Sequence, residues 1–533
     1  MSDLRRIVGT TRVIALLTLG SRLVGLAREM TFAHFFSAGP VLSAFRVAFM
    51  IPNVARRLFG EGALSSSLVP VLTDVIHREG DEAGRRLSGA ILVLLTATLT
   101  VLTILAEVAL AIAMRWTPEP ALKLTAMLLP YMLLICVTAT AGGVLNVRGH
   151  FASPAAAPVI MNLALIAGAL FGARGLRLAD FELMTVVCGA TLVSGVVQVF
   201  WQLAALQRVG FTPRLVWDTR SEAVRRVFSM MGPMILGLST VQVSSVADYL
   251  IAYLAVTNEA GERVGPAVLG YAQYLYQLPL GVFGIALATA VFPVMSTRAA
   301  ADDGAGLAEV FSRGMRLSMF ISLPSAAGMI VIAEPIVRTL FERGAFGRDD
   351  TARVAGAVVC YAIGIPAYGA LHVIVRAFYA LKDSATPMRI AAMVVGLNLV
   401  LGTLLVLTPL QERGIALATA ATASLQVVLL ARRLRQRLPE VRWRPILRST
   451  ARQLGATGVM SAALLLVPRV EGAWRIVSRW DAVELGYLVF VGLTGYAACG
   501  LLFRIDEMSM LISRDGAAPV RDRSGTGEEA DHA

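Results

Sequence analysis

Cysteine and histidine are scarce in this chain, and their spacing argues against two kinds of site. The four cysteines, Cys136, Cys188, Cys360 and Cys499, lie far apart inside apolar stretches, where cysteine behaves as a small hydrophobic residue. They predict neither a disulfide framework nor a metal site. The five histidines form no HxxxH or HExxH pair, so no metal and no other cofactor is expected.

Charged residues are also few: they make up 16% of the chain, against 56% hydrophobic residues. Long apolar runs recur along almost the whole sequence, which predicts an all-α polytopic membrane protein rather than a soluble enzyme. The net charge of +12 would suit nucleic acid, but the basic residues are not gathered into a patch with interleaved aromatics. No nucleic-acid partner is therefore expected.

A membrane span needs about 20 predominantly apolar residues. Segments of that kind predict about fourteen transmembrane helices, near residues 11–36, 40–59, 86–114, 121–145, 155–173, 182–206, 226–256, 265–297, 312–335, 353–381, 387–408, 413–431, 449–468 and 482–503. Arginines concentrate in alternate loops, such as 208–226 and 432–448, while loops such as 37–40 and 409–413 carry few. This positive-inside pattern predicts that both termini are cytoplasmic.

A weak internal repeat suggests how the helices are grouped. Pro52 followed by the Val-Pro pair at 69–70 is similar to Pro279 followed by the Phe-Pro pair at 292–293. Six helices separate the two copies, and an even number preserves their orientation in the membrane, so the halves would be parallel repeats. The alternative is that proline-containing helix ends resemble each other by chance. The predicted units are an N-lobe at 1–215 with helices 1–6, a C-lobe at 216–440 with helices 7–12, helices 13–14 at 441–505, and a disordered tail at 506–533.

Arginines inside the first two apolar segments carry the strongest functional signal. Arg22 and Arg28 interrupt the first segment, and Arg46 lies in the second. Each charge at the centre of a membrane helix costs about 2.5–3.5 kcal/mol, so such residues normally line a polar cavity. Arginine binds phosphate oxygens through a planar, permanently charged fork. These arginines therefore predict a membrane carrier whose cargo is an anion.

The second segment extends this set of polar residues. A helical spacing of three and four residues places Ser43, Arg46, Met50, Asn53 and Arg57 on one face. Candidate substrate-binding residues are Arg22, Arg28, Arg46, Asn53, Arg56 and Glu61. The alternative is structural: Arg22 or Arg28 pairs with Glu29, while Arg56 and Arg57 extend to the inner headgroups.

Other chemistry has weaker support. The sequence shows no Ser/His/Asp grouping and no phosphate-binding glycine loop with its lysine, so an enzyme is not expected and no catalytic residue is assigned. Asp248 and Asn398 would suit a cation site, but intramembrane amides more often form hydrogen bonds between helices.

Two motifs carry a resemblance to a known family. They are Ser21–Glu29, with the sequence SRLVGLARE, and Phe49–Ala63, with the sequence FMIPNVARRLFGEGA. The segments Phe151–Asn162, Phe341–Phe346 and Phe378–Pro387 continue the match. Over residues 10 to 505 the chain resembles the MurJ (MviN) family, the lipid II flippases of the MOP exporter superfamily.

The resemblance implies a flippase for the undecaprenyl-diphosphate-linked peptidoglycan precursor lipid II. By alternating access it would move lipid II from the inner to the outer leaflet of the bacterial cytoplasmic (inner) membrane. Arg22, Arg28 and Arg56 would hold the diphosphate, and helices 13–14 would form a groove for the lipid tail. Besides lipid II and membrane lipids, the resemblance suggests proteins of cell-wall synthesis and division as partners.

Four positions depart from the family pattern. Ser43 replaces a frequent acid, Met50 replaces a lysine, and Gln273-Tyr274 replaces an Asp-Arg pair. One hypothesis is that Arg46 supplies the missing cation. The departures leave open a flippase for another lipid-linked oligosaccharide, and a non-transporting cell-wall scaffold is a further alternative. A multidrug exporter would favour a carboxylate-based cavity over these arginines.

Overall fold

The computed structural model describes residues 2–117, 119–466, 481–503 and 505–508. Their regular structure is helical, with eighteen α-helices: α1 Ser2–Phe36, α2 Pro40–Ala55, α3 Ala63–Glu79, α4 Asp81–Trp116, α5 Pro120–Val147, α6 Ala152–Leu170, α7 Asp180–Arg208, α8 Glu222–Ala255, α9 Gly265–Pro279, α10 Ile285–Ala300, α11 Gly304–Val331, α12 Ala333–Phe341, α13 Arg348–Ala362, α14 Ile365–Ala380, α15 Ala385–Val406, α16 Glu412–Arg437, α17 Trp443–Leu466 and α18 Asp481–Leu502. Three short π-helical turns, Arg56–Gly62, Phe171–Gly175 and Leu280–Gly284, complete them.

Several helices join into longer segments that correspond in order to the predicted spans. The first π-turn links α2 to α3, and the third links α9 to α10. Eight described helical segments are individually long and apolar enough to cross a membrane, and α13 with α14, bent by 40°, makes a ninth. The segment 40–79 is not among them, and it carries the charged residues Arg46, Arg56, Arg57 and Glu61. The all-α polytopic fold class is confirmed.

The two segments paired by the sequence repeat share an unusual local geometry. In each, a proline is followed closely by a π-helical turn: Pro52 precedes Arg56–Gly62, and Pro279 precedes Leu280–Gly284. Proline removes a backbone donor from the helix ladder, and a π-turn is one way for a helix to absorb such a defect. The shared break supports the repeat, while the proposed lobe boundaries stay a prediction.

For description, α1–α7 are called the N-half and α8–α16 the C-half. The end of the bundle with the loop 37–39 is called the Ser37 end, and the opposite end, where Gly80 separates α3 from α4, the Gly80 end. Gly80 has φ +87°, a left-handed conformation that glycine adopts without strain. The loop charges predict that the Ser37 end faces outward.

The buried core differs between the two ends. At the Ser37 end one apolar cluster joins both halves, from Phe32 and Leu124 to Tyr271 and Phe341. At the Gly80 end the halves have separate clusters, one around Leu72 and another around Phe311. Among the described residues of the C-half, those that pack into the N-half cluster belong to the first turns of α8, where Arg226 pairs with Asp74 at 2.9 Å. The halves are thus sealed together most fully at the Ser37 end.

Polar contacts reinforce that seal. The Ser37 hydroxyl donates to the Asp350 carboxylate at 2.5 Å, and Tyr271 donates to the Ser37 carbonyl oxygen at 3.2 Å. Nearby, Arg263 of the α8–α9 loop pairs with Glu119 at the start of α5 at 3.1 Å. Because each contact joins the N-half to the C-half, the Ser37 end opens only if all of them break.

The last two helices attach to the C-half through α11 and α12. Tyr496 of α18 donates to the Phe320 carbonyl oxygen at 3.0 Å, and Arg338 pairs with Glu484 at 2.6 Å. The first residues of the predicted tail are anchored as well, because the buried Glu507 carboxylate pairs with Arg316 at 2.5 Å. The rest of that tail, 509–533, lies outside the described residues.

Candidate substrate-binding cavity

A cavity of about 310 Å³ lies between the two halves, against the sealed Ser37 end. Helices α1 and α2 form one side of it, and α8 and α9 form the other. Its polar wall residues are Arg28, Glu29, Arg46, Asn53, Arg57, Gln242, Ser245, Tyr249, Gln273, Tyr274 and Gln277. Three arginines and one carboxylate give the wall a formal charge of +2, so the cavity favours an anionic guest.

Three residues form a charged triad at the centre of this wall. Glu29 accepts from Arg28 at 2.5 Å through one carboxylate oxygen and from Arg46 at 2.7 Å through the other. Its side chain is almost completely buried, whereas Arg28 and Arg46 keep 18% and 14% of theirs exposed. A buried charge is tolerable only when it is paired. The single carboxylate therefore holds two guanidinium groups side by side and leaves one positive charge in excess.

Neighbouring side chains fix the direction of both guanidinium groups. Arg28 also donates to the Asn162 amide oxygen at 2.8 Å, and Arg46 lies over the Tyr271 ring at 4.8 Å from the centroid. A Cβ added at Gly270 would overlap the Arg46 guanidinium, so the absence of a side chain there creates the space. Arg46 and Arg28 thus lie at the same depth, because both bind Glu29.

The two adjacent arginines at the start of the first π-turn face different spaces. Arg57 lines the central cavity and donates to the Gln242 amide oxygen at 3.3 Å. Arg56 instead lines a second cavity inside the N-half and donates to the Asn53 amide oxygen at 2.8 Å. Helical spacing groups Arg57 with Arg46, Met50 and Asn53, and all four line the central cavity, although Arg57 is not among the candidate substrate-binding residues named from the sequence.

Arg22 lies away from the central cavity wall. Its guanidinium occupies the space beside Gly281 in the third π-turn, and its carbonyl oxygen accepts a hydrogen bond from Tyr274 at 2.7 Å. Tyr274 also packs close to Gly25, where a Cβ would lie 3.1 Å from the hydroxyl oxygen. Arg22 thus sits at the seam between α1 and the C-half. The Glu61 side chain lies outside the described residues.

The four family departures have defined surroundings. Ser43 is fully buried, and its hydroxyl accepts from the Ala267 backbone N–H at 3.1 Å, a donor in the first turn of α9 that it shares with the Val264 carbonyl oxygen. Met50 lines the central cavity. Gln273 accepts from Tyr249 and donates to Tyr361, both at 3.1 Å. Ser43 therefore acts between helices, and Gln273 and Tyr274 line the cavity without charge.

Asp248 and Asn398, the two residues that would suit a cation site, are in contact. Asn398 donates to the Asp248 carboxylate at 3.1 Å, and Thr422 donates to the Asn398 amide oxygen at 3.2 Å. Both Asp248 and Asn398 are buried. These contacts join α8, α15 and α16, as expected for hydrogen bonds between membrane helices. Among the described residues, no group of three or more His, Cys, Asp and Glu side chains is placed to hold a metal ion.

A helical bundle with repeated membrane spans and a cationic cavity between two halves defines a multi-pass membrane protein of the transporter class. The family model described as "Lipid II flippase MurJ" matches residues 32–480. The chain belongs to the lipid II flippase MurJ family.

Relatives match over nearly the whole chain. A "Probable lipid II flippase MurJ" of Rhizobium tropici is 29% identical, covering 96% of this chain and 98% of the relative. The "Lipid II flippase MurJ" of Burkholderia cenocepacia is 31% identical, covering 93% and 95%. Among solved structures, "Lipid II flippase MurJ, inward closed conformation" superposes with a TM-score of 0.75 at 22% identity, covering 94% of this chain and 99% of that one. A multidrug resistance MATE family transporter of the MOP superfamily in an inward-facing conformation gives 0.67 at 16% identity, covering 80% and 98%.

Proposed function

We propose that this protein moves lipid II across the bacterial cytoplasmic membrane, from the inner to the outer leaflet. Family membership supports lipid II as the cargo. The observation that carries the proposal is the Arg28–Glu29–Arg46 triad with Arg57 beside it on one cavity wall. A diphosphate presents several oxygens to planar guanidinium groups, which bind them in pairs.

Arg28, Arg46 and Arg57 are the diphosphate ligands in this proposal. Arg28 and Arg46 are held at neighbouring positions by one carboxylate, so a diphosphate can contact both without bringing two free cations together. Met50 and the Gln273-Tyr274 pair are neutral at positions where the family pattern has a lysine and an Asp-Arg pair. Arg46 then supplies the missing cation. Arg22 and Glu61 act outside this contact, Arg22 at the seam where α1 meets the C-half.

Transport follows from the unequal sealing of the two ends. The Ser37 end is closed by a shared core and by the Ser37–Asp350 and Glu119–Arg263 contacts. With both termini cytoplasmic, the headgroup enters from the Gly80 end and leaves when the Ser37 end opens, which is alternating access. The undecaprenyl chain stays in lipid, and the exposed apolar side chains of α17 and α18, such as Leu465 and Leu493, offer it a groove.

The test is complementation of cells depleted of their own lipid II flippase, with lipid II accessibility in the outer leaflet as the readout. Wild type is compared with Arg28→Gln/Glu29→Gln/Arg46→Gln, which removes all three charges without leaving one unpaired. The matched control is Arg313→Gln on an exposed face of α11. We expect rescue by wild type and the control, and lipid II retained inside with the triple variant.

Three results would overturn this proposal. If well-expressed wild type leaves lipid II inside, the cargo is another lipid-linked oligosaccharide, to which the neutral Gln273-Tyr274 pair then points. If the triple variant restores outward lipid II as fully as wild type, the charged triad has no part in transport. Rescue of growth without any outward lipid II would assign the protein a scaffold role.

A further inference from the structure

The second cavity, of about 340 Å³, lies inside the N-half and is called the N-half cavity. Every described residue of its wall belongs to the N-half, mostly to α2, α5, α6 and α7, so it is separate from the space between the halves. Phe49 and Asn53 line both cavities, which makes the two spaces neighbours across a single turn of α2. A ligand held by its diphosphate in the central cavity can therefore extend its next group into the N-half cavity.

The wall of the N-half cavity offers many hydrogen-bonding groups, most of them neutral. The neutral groups are Asn53, Ser65, Tyr131, Thr138, Asn146, Gln198 and Gln202. Arg56 also lies on this wall and donates to the Asn53 amide oxygen. Polar side chains within membrane helices are costly and normally face a cavity or another helix. Their concentration around one space favours a ligand that is itself rich in hydrogen-bonding groups.

Two glutamines of α7 show most clearly that this wall is built to bind. Gln198 and Gln202 lie one helical turn apart, both line the cavity, and both are 1% exposed. Gln202 donates to the Ser153 carbonyl oxygen at 3.2 Å, but its own amide oxygen has no hydrogen-bond partner among the described residues. A buried acceptor without a partner is rare in folded proteins and calls for an explanation. A ligand hydroxyl group can donate to it.

The rest of the wall is apolar and includes two aromatic rings. Phe49 and Tyr131 stack with their ring centroids 6.0 Å apart and their planes 26° apart, and both line the N-half cavity. A sugar ring carries hydroxyl groups around its edge and C–H bonds on its faces, so it fits a space bounded by both amides and aromatic rings. A volume of about 340 Å³ also lies within the usual range for ligand pockets.

We infer that the N-half cavity is a saccharide subsite, in which Gln202 accepts a hydrogen bond from a sugar of the lipid-linked headgroup. The inference rests on the proposed function and deepens it. In a diphosphate-linked saccharide the first sugar is bonded directly to the phosphate, so it is the group nearest to the Arg28–Glu29–Arg46 triad. A peptide attached to the saccharide lies beyond that sugar. The shared wall at Phe49 and Asn53 thus places the sugar, rather than the peptide, next to the bound diphosphate.

The test measures equilibrium binding of three lipids to the purified protein in nanodiscs. The lipids are undecaprenyl diphosphate, the same lipid carrying the disaccharide without a peptide, and lipid II. Wild type is compared with Gln202→Met, which removes the amide at nearly constant size, and with the triad variant Arg28→Gln/Glu29→Gln/Arg46→Gln. Gln207→Met, at an exposed position of the same helix, is the matched control. Thermal unfolding of each variant verifies that it is folded.

We expect Gln202→Met to weaken binding of the disaccharide lipid and of lipid II by about tenfold, which equals about 1.4 kcal/mol and is typical of one lost hydrogen bond. Its affinity for undecaprenyl diphosphate should stay at the wild-type value, because that lipid has no sugar. The triad variant should weaken binding of all three lipids, because each carries the diphosphate. Gln207→Met should behave as wild type.

The inference is wrong if Gln202→Met binds both saccharide lipids as tightly as wild type does. It is also wrong if this variant weakens binding of lipid II alone, since the cavity would then hold the peptide. Equal weakening for all three lipids would overturn it as well, since Gln202 would then serve the diphosphate or the fold.

Should Gln202→Met fail to fold, Ala157→Leu replaces it, because it adds bulk to the wall of the same cavity. Ala204→Leu, at an exposed position of α7, is then the control, and the same outcomes support or overturn the inference. If wild type binds the three lipids as expected but moves no lipid II outward in cells, the proposed function fails and the saccharide subsite stands.

Discussion

The central cavity and the second cavity, which lies inside the N-half, share a wall at Phe49 and Asn53 but differ in the groups that line them. In the central cavity Glu29 stabilises Arg28 and Arg46 together, at the cost of half their charge. The described wall of the N-half cavity carries one arginine, Arg56, which donates to the Asn53 amide oxygen, and its other polar groups are neutral. Two cations can lie side by side in the central cavity because a buried anion lies between them.

The largest effect on stability and transport is expected from removing the anion of the central cavity, Glu29. Glu29→Gln keeps the shape of the side chain but leaves two buried guanidinium groups without their anion. Breaking a buried pair by removing one partner costs about 3–5 kcal/mol, so the unfolding midpoint should fall markedly and transport should be lost. Thermal unfolding of the purified protein measures this. A midpoint equal to that of wild type would show that Glu29 is not what holds the arginines.

A smaller effect is expected from moving one arginine while leaving every charge in place. Gly270→Ala puts a Cβ where the Arg46 guanidinium lies, so Arg46 must leave the Tyr271 ring or the helices must separate. Overpacking of this kind costs about 1–3 kcal/mol. We expect a moderate loss of stability and slower outward movement of lipid II, with Gly458→Ala, on α17 with open space around it, as the control. Equal transport by the two variants would mean that the position of Arg46 is unimportant.

The smallest effect on stability is expected from replacing the amide to which Arg56 donates. Asn53→Asp puts an anion of nearly the same shape beside Arg56, so stability should change by less than about 1 kcal/mol. Because Asn53 lines both cavities, the added carboxylate lowers the positive charge of each, and outward movement of lipid II should become slower. Transport in proteoliposomes measures it. A rate equal to that of wild type would show that the charge beside Asn53 has no effect on the cargo.

The sequence and the structure agree where local patterns decide. Arginine at 46 and 57, methionine at 50 and asparagine at 53 follow helical spacing, and all four line the central cavity. Ser43 follows the same spacing but lies deeper in the seal, where it accepts a hydrogen bond from a backbone N–H of α9. That role depends on a helix more than two hundred residues away, so no local pattern reveals it.

Arg56 and Arg57 are a second example of what a local sequence pattern cannot reveal. The family resemblance assigns the diphosphate to Arg56, while the helical spacing groups Arg57 with Arg46. In the fold, Arg57 faces the central cavity and Arg56 faces the N-half cavity. Successive residues of a helix point about 100° apart, so neighbours enter different spaces, and only the packing of α5, α6 and α8 defines those spaces.

The sequence alone determined the helical membrane class, the order of the helical segments and the presence of arginines too costly to bury without purpose. Those properties follow from hydropathy and charge, which are summed residue by residue along the chain. Tertiary structure decided that Glu29 joins Arg28 to Arg46, that Arg22 lies at a helix seam, and that the N-half contains a cavity of its own. Each of these depends on distances between segments far apart in sequence, and such distances are set by how whole helices pack.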